Sequence, residues 1–124
     1  MCGRYTLDVT SAELGQMLEG DMTVEWTPSW NIKPTQRVPV FRETVSDDGE
    51  VLRVGDLARW SLMPPWATEP KQKFPTFNAR SEGLAAKATW RGPIKRSRAI
   101  LPASGYYEWK TDGKVKTPHY IHLP

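Results

Sequence analysis

Apolar positions recur at two different spacings along the chain, and the change of period marks out its elements. Thr10 stands three residues before Glu13, the spacing of a capping box, and Leu14, Met17 and Leu18 then follow at helical intervals, so Thr10 to Glu19 is predicted as a short amphipathic helix. From Gly20 to Arg37 no period holds, although Trp26, Pro28, Trp30, Asn31 and Pro34 crowd the segment; it reads as a long ordered loop that displays aromatics. Val38 to Val45 and Val51 to Leu62 are β-branched and apolar and flank Ser46-Asp47-Asp48-Gly49, whose Asp-Gly pair suits a turn with positive φ, so they predict a hairpin. Met63-Pro64-Pro65-Trp66 ends its second strand, because proline offers no ladder N–H, and a proline-rich loop runs on to Pro75. Ser81 to Trp90 predicts a second short helix stopping before Gly92-Pro93, and Ser97 to Ala103 predicts a buried strand. A second hairpin pairs Tyr106 to Lys110 with Val115 to Leu123 across Thr111-Asp112-Gly113-Lys114.

The pattern implies an α+β fold, mostly antiparallel β, with barrel-like twisted sheets and a few short helices. Composition agrees: six Trp and eleven Pro in 124 residues favour a loop-rich β architecture, and 39% hydrophobic with 25% charged residues is ordinary for a soluble globular chain and excludes a disordered one. With no repeat and no linker, residues 1–124 read as one domain. A formal charge of +3 permits a polyanionic partner without requiring one. Neither a membrane span nor a signal peptide is visible, and one cysteine cannot form an intramolecular disulfide, so a reducing cytoplasm is expected, with the nucleoid or a nucleus as variants of it. His119 and His122 lack the Cys or carboxylate partners of a zinc site, so neither metal nor cofactor is expected.

Cys2 is the residue with the most chemical promise. Loss of Met1 would place an α-amine, ordinarily titrating near about 7.7–8.0, beside a thiol near about 8.5. Such an aminothiol condenses with an aldehyde to an imine, and the thiol then closes a five-membered thiazolidine. Position alone, however, favours a small buried thiol behind an initiator Met. Asn78 and Arg80, two apart, would share one face of an extended segment, yet singly each reads as a turn residue or a surface cation. Trp30, Asn31, Pro34 and Trp66 could form a wall for stacking bases, with Trp66 more exposed than Trp60 or Trp109.

Taken together, five segments resemble the SOS-response-associated peptidase (SRAP) family in order: Cys2-Gly3-Arg4-Tyr5, Trp30-Asn31-Ile32-Lys33-Pro34, Trp60-Ser61-Leu62-Met63-Pro64-Pro65-Trp66, Phe77-Asn78-Ala79-Arg80-Ser81-Glu82 and Gly105-Tyr106-Tyr107-Glu108-Trp109. Ser61 departs from a frequent Gly, a change expected to bear on backbone packing. The resemblance implies covalent capture of abasic sites in single-stranded DNA by Cys2, shielding the lesion. It implies Asn78 beside the Cys2 amine, Glu108 as the proton-transfer group, and Arg4 and Arg80 on phosphates. Glu82 is expected to cap or salt-bridge the following helix, with no catalytic part. The family's His-x-Arg-x-Pro histidine has no counterpart, which reads as a domain lacking its C-terminal part; neither His119 nor His122 is given that role. The resemblance also implies that the same terminus removes Met1. Two other functions stay open: a general cysteine peptidase, which a Cys–His–Asn set would support, and a non-covalent single-strand binder in which Cys2 is dispensable.

Overall fold

A computed structural model describes residues 2–70 and 73–124. Its strands are β1 (Tyr5–Leu7), β2 (Asp21–Met22), β3 (Ser29–Ile32), β4 (Arg37–Val45), β5 (Val51–Arg59), β6 (Gly105–Asp112) and β7 (Val115–His122), and its helices are α1 (Ser11–Met17) and α2 (Ala88–Arg96), with a 3-10 turn at Leu84–Ala86. One sheet has the order β3-β1-β6-β7 and the other β2-β5-β4. Every ladder is antiparallel except β2 on β5. The mostly antiparallel α+β class expected from the pattern is therefore present, but the barrel-like closure is not: β3 and β7 bound one open sheet, β2 and β4 the other.

Local rules account for the elements that match expectation. In α1, the Glu13 N–H donates to the Thr10 hydroxyl at 3.3 Å and the Thr10 N–H to the Glu13 carboxylate at 2.7 Å, a complete capping box. These bonds from Thr10 hold the Glu13 carboxyl below its ordinary range, the backbone N–H contributing most. The β4–β5 hairpin pairs in unbroken register from Arg37↔Arg59 to Val45↔Val51, and its turn places Gly49 at φ 87°, where a side chain would be strained. β6 and β7 pair from Gly105↔His122 to Asp112↔Val115, with Gly113 at φ 58° in the turn.

Three expectations are corrected. The Gly20–Arg37 loop contains β2 and β3, whose pairing comes from the backbone edges of β5 and β1 and so leaves no hydrophobic period to read. The Ser81–Trp90 helix is replaced by the 3-10 turn and by α2, which runs through Gly92 and Pro93 to Arg96. Gly92 has no Cβ to meet the proline ring, so the residue before Pro93 keeps a helical backbone. The Ser97–Ala103 strand is absent: Ile100 makes an isolated bridge to Phe41, with backbone bonds of 2.9 and 2.8 Å, and its side chain is exposed. Arg96 and Arg98 stand close before that bridge, and Pro102 cannot donate to extend it.

Tyr5, Leu7, Leu14, Ile32, Val38, Phe41 and Trp60 form the buried core, and Cys2, Met22, Trp26 and Phe77 pack against it. All three residues of β1 are buried between two neighbouring strands. The N-terminal segment is thus threaded into the middle of a sheet, which fixes where Cys2 emerges.

Candidate active site

Cys2 lies half-buried three residues ahead of β1's first residue, its thiol pointing to the Arg4 carbonyl at 3.4 Å. The Asn78 side-chain amide donates to the Cys2 carbonyl at 2.5 Å, joining positions 76 residues apart. Asn78 is itself held by a clamp. The Leu62 N–H donates to the Thr76 carbonyl at 3.0 Å, the Thr76 hydroxyl donates back to the Leu62 carbonyl at 2.6 Å and meets the Ser61 hydroxyl at 2.8 Å, and the Trp60 indole donates to the Phe77 carbonyl at 3.3 Å. Trp60 stands edge-on to both Tyr5 and Phe77, with ring centroids 5.0 and 6.0 Å away. The Trp60-Ser61-Leu62 segment therefore positions the Asn78 segment against the N-terminus, and Ser61 contributes a hydroxyl where a glycine would contribute none.

Arg4 projects from the other side of the chain. Its guanidinium donates to the Asn31 side-chain oxygen at 2.7 Å and lies 6.0 Å from the Trp109 ring centre, while its Nε is buried without a hydrogen-bond partner among the described residues. The Tyr107 N–H donates to the Arg4 carbonyl at 2.9 Å, so β6 meets the N-terminal segment one residue before Glu108. Tyr107 and Trp109 share one face, their rings 6.5 Å apart, and alternation puts Glu108 on the opposite face with Tyr106, the partner of Tyr5. Glu108 thus shares with Tyr5 the side of the sheet that carries the core, and Cys2 packs against that same core. Its cross-strand neighbour on β7 is His119.

Asn78 and Arg80 line one open cleft of about 840 Å³, with Trp66 on its wall and Lys73, Lys87 and Trp90 around it. The segment belongs to no strand, and both residues line the same space. Trp66 is 60% exposed, against 9% for Trp60 and 41% for Trp109, the ranking the Pro-Pro break predicted. Pro34 instead lines a neighbouring cleft of about 300 Å³ that shares the wall Phe74–Thr76, and Trp30 is exposed on β3. Trp66 and Pro34 thus line neighbouring clefts that share a wall, while Asn31 is engaged by the Arg4 guanidinium. Glu82 caps neither following helix: the N-cap of the 3-10 turn is Gly83 and that of α2 is Lys87, both without a side-chain cap bond. Met1, whose loss the Cys2 chemistry requires, lies outside the described residues.

Tyr5 was not singled out by sequence, yet its hydroxyl is buried without a partner among the described residues. Burial, and after it the charge of the Cys2 thiolate, push its phenol well above the ordinary range, so a neutral O–H stands near the cysteine. Ser61 and Thr76 were also missed as supports of Asn78, since two isolated hydroxyl residues carry no spacing signal. Among the described residues no group of three or more His, Cys, Asp or Glu side chains could hold a metal ion, and no helix is long and apolar enough to cross a membrane.

Asn78 ties Cys2 to a cleft lined by aromatic and basic side chains, and the chain matches the SOS response associated peptidase (SRAP) family over residues 1–124 and belongs to it. Among its relatives, abasic site processing protein YoqW of Bacillus subtilis (strain 168) is 39% identical over 127 residues, covering 99% of this chain and 54% of that protein. Abasic site processing protein HMCES of Gallus gallus is 32% identical over 143 residues, covering 100% of this chain and 43% of its own length. The chain thus spans about half the length of these curated relatives. A solved protein from Bacteroides thetaiotaomicron shares the fold with a TM-score of 0.79 at 21% identity, over 98% of this chain and 54% of that one.

Proposed function

We propose that this chain captures abasic sites in single-stranded DNA covalently through Cys2, within one SRAP-type domain of which residues 1–124 form a part. The observation that supports it most is the 2.5 Å bond from Asn78 to the Cys2 carbonyl, which brings the Asn-Ala-Arg segment to the N-terminus. The naming of the relatives as abasic site processing proteins points the same way.

The open-chain form of an abasic sugar presents an aldehyde. Once Met1 is gone, the free Cys2 amine adds to that carbon, and the carbinolamine loses one water to give an imine. The thiol then adds across the C=N bond, its proton passing to nitrogen, and a thiazolidine results. Glu108, on the Cys2 side of the sheet, is the group assigned to carry protons for sugar opening and water loss. Asn78 orients the reacting sugar, while Arg4 and Arg80 offer planar guanidinium groups to the flanking phosphates. Trp66 offers an exposed ring to a neighbouring base, and Asn31 and Pro34 stand at the margins of the DNA path. Self-removal of Met1 by the same terminus accounts for the family's peptidase description.

The test mixes the protein with single-stranded DNA carrying one abasic site and measures adduct that survives denaturation. Adduct is expected with the parent protein, lost in Cys2→Ala with non-covalent binding retained, and slowed in Glu108→Gln. An undiminished adduct in Cys2→Ala would falsify the proposal, and hydrolysis of unrelated peptides without any adduct would favour a general peptidase. Intact mass reports whether Met1 is removed, because a retained Met1 leaves the Cys2 nitrogen as an unreactive amide.

A further inference from the structure

Charge is segregated along the chain in a way the lesion site does not use. Between Glu82 and Glu108 there is no Asp or Glu, while Lys87, Arg91, Lys95, Arg96 and Arg98 all fall there. All five are exposed. Lys87 is the N-cap of α2, and Arg91 and Lys95 follow at successive steps of four, which places the three on one helix face about 6 Å apart along the axis.

The two ends of that face open on different clefts. Lys87 lines the large cleft that holds Asn78, Arg80 and Trp66. Lys95 and Arg96 line a second cleft of about 410 Å³ on β4 and β5, with Arg42 and Arg98 beside them. Its one lining carboxylate, Glu43, is paired with Arg53 at 2.9 Å, and among the described residues no ion pair joins Arg42, Lys95, Arg96 or Arg98. Four exposed cations around one concavity give it a positive potential that attracts an anionic ligand.

We propose that α2 is a basic rail joining these clefts, along which the single strand flanking the lesion runs, its phosphates carried from Lys87 past Arg91 and Lys95 into the Arg42–Arg98 cleft. This rests on the reading that the large cleft receives the abasic site. The spacing of the rail cations is close to that of successive phosphates in an extended strand. Backbone contacts of this kind are independent of sequence, and they give affinity and register to a protein whose lesion offers no base to read.

The experiment measures non-covalent binding in a Cys2→Ala background, where adduct formation cannot contribute. Undamaged oligonucleotides of about five and about twenty-five nucleotides serve as probes, the shorter filling one cleft and the longer spanning both. Arg91→Gln, Lys95→Gln and Arg98→Gln combined are expected to weaken the long probe about ten- to a hundredfold at low salt and to lower its log–log salt slope by about 2, with the short probe changed less than twofold. Lys110→Gln, Lys114→Gln and Lys116→Gln, which remove the same charge from the β6–β7 hairpin, are expected to leave both probes within about twofold. Equal weakening by both triple variants, equal weakening of both probes, or weakened heparin binding with oligonucleotide binding intact would each overturn the rail. Failure of the Cys2→Ala parent to bind either probe would overturn the functional reading along with it, whereas tight binding that ignores the rail variants overturns the rail alone.

Discussion

The two long hairpins are nearly equal in length, nine paired residues against eight, yet one builds the core and the other stands open. In the first, Val38 and Phe41 are 0% and 1% exposed and the strand is pressed against α1 and the N-terminal strand. In the second, every residue of β7 is exposed, and the aromatic row Tyr107, Trp109 and Tyr120 covers itself, with Tyr107 and Tyr120 rings 5.0 Å apart. Alternating apolar residues around an Asp- and Gly-containing turn specify a hairpin in both cases. Burial is decided by what the rest of the chain lays over each face, and the open hairpin is the one that presents Glu108 and, through Trp109, supports Arg4.

Truncating the buried ring should give the largest effect. Phe41→Ala is expected to cost about 3–5 kcal/mol by urea denaturation, whereas Tyr120→Ala, which loses a 40% exposed ring and its 2.8 Å bond to the Thr6 hydroxyl, should cost about 1–1.5 kcal/mol. Equal losses would erase the distinction between the hairpins. Two glycines sharpen it further. A Cβ at Gly55 would meet the Met22 sulfur at 2.6 Å and the Phe41 ring at 2.7 Å, both packed, so Gly55→Ala should cost about 1–3 kcal/mol. At Gly105 a Cβ would meet the Tyr120 ring and hydroxyl at 2.5–2.7 Å, but that ring can swing into solvent, so Gly105→Ala should cost less than Gly55→Ala in the same melt.

The next effect is smaller in stability and larger in rate. Thr76→Val keeps the shape of the side chain but removes the hydroxyl shared by Ser61 and Leu62, at about 1 kcal/mol. If the clamp positions Asn78, adduct formation at saturating DNA should slow by about tenfold with binding unchanged, and Thr76→Ser should restore it. A change in binding with the rate intact would assign Thr76 to the DNA surface instead.

The capping box of α1, both turn glycines and the alternation of both hairpins were legible because each is a local rule with a short sequence span. β1 was not, because Tyr5-Thr6-Leu7 is too short to show a period and becomes a strand by lying between β3 and β6. The same limit applied to the site. Cys2, Asn78 and Glu108 were recognisable through ordered motifs, whereas the supports of Asn78 come from Ser61 and Thr76, whose partnership exists only once the Pro-rich loop has folded back. Arg91 and Lys95 fall beyond the Ser81–Trp90 helix that the sequence predicts, and they share a face only because α2 continues through Pro93 to Arg96.

The smallest effect at neutral pH belongs to Tyr5, which sets the buried side of the site against the open hairpin. Its phenol is raised by burial first and by Cys2 second, so the folded protein keeps a proton that the unfolded chain releases above about pH 10. A raised folded pKa contributes stability that is fully present below that pH and is lost as pH rises through the folded value. Between those limits the loss attributable to Tyr5 approaches about 1.4 kcal/mol per pH unit. Tyr5→Phe removes a buried hydroxyl that has no partner among the described residues, so it should leave stability at pH 7 equal or slightly higher and flatten the fall above about pH 10. Tyr106→Phe is the matched control, because Tyr106 faces Tyr5 across the ladder but is 38% exposed. Denaturation at a series of alkaline pH values decides the matter: a slope that flattens equally in both variants would mean that the Tyr5 hydroxyl reaches solvent and that the cysteine side of the sheet is as open as the hairpin.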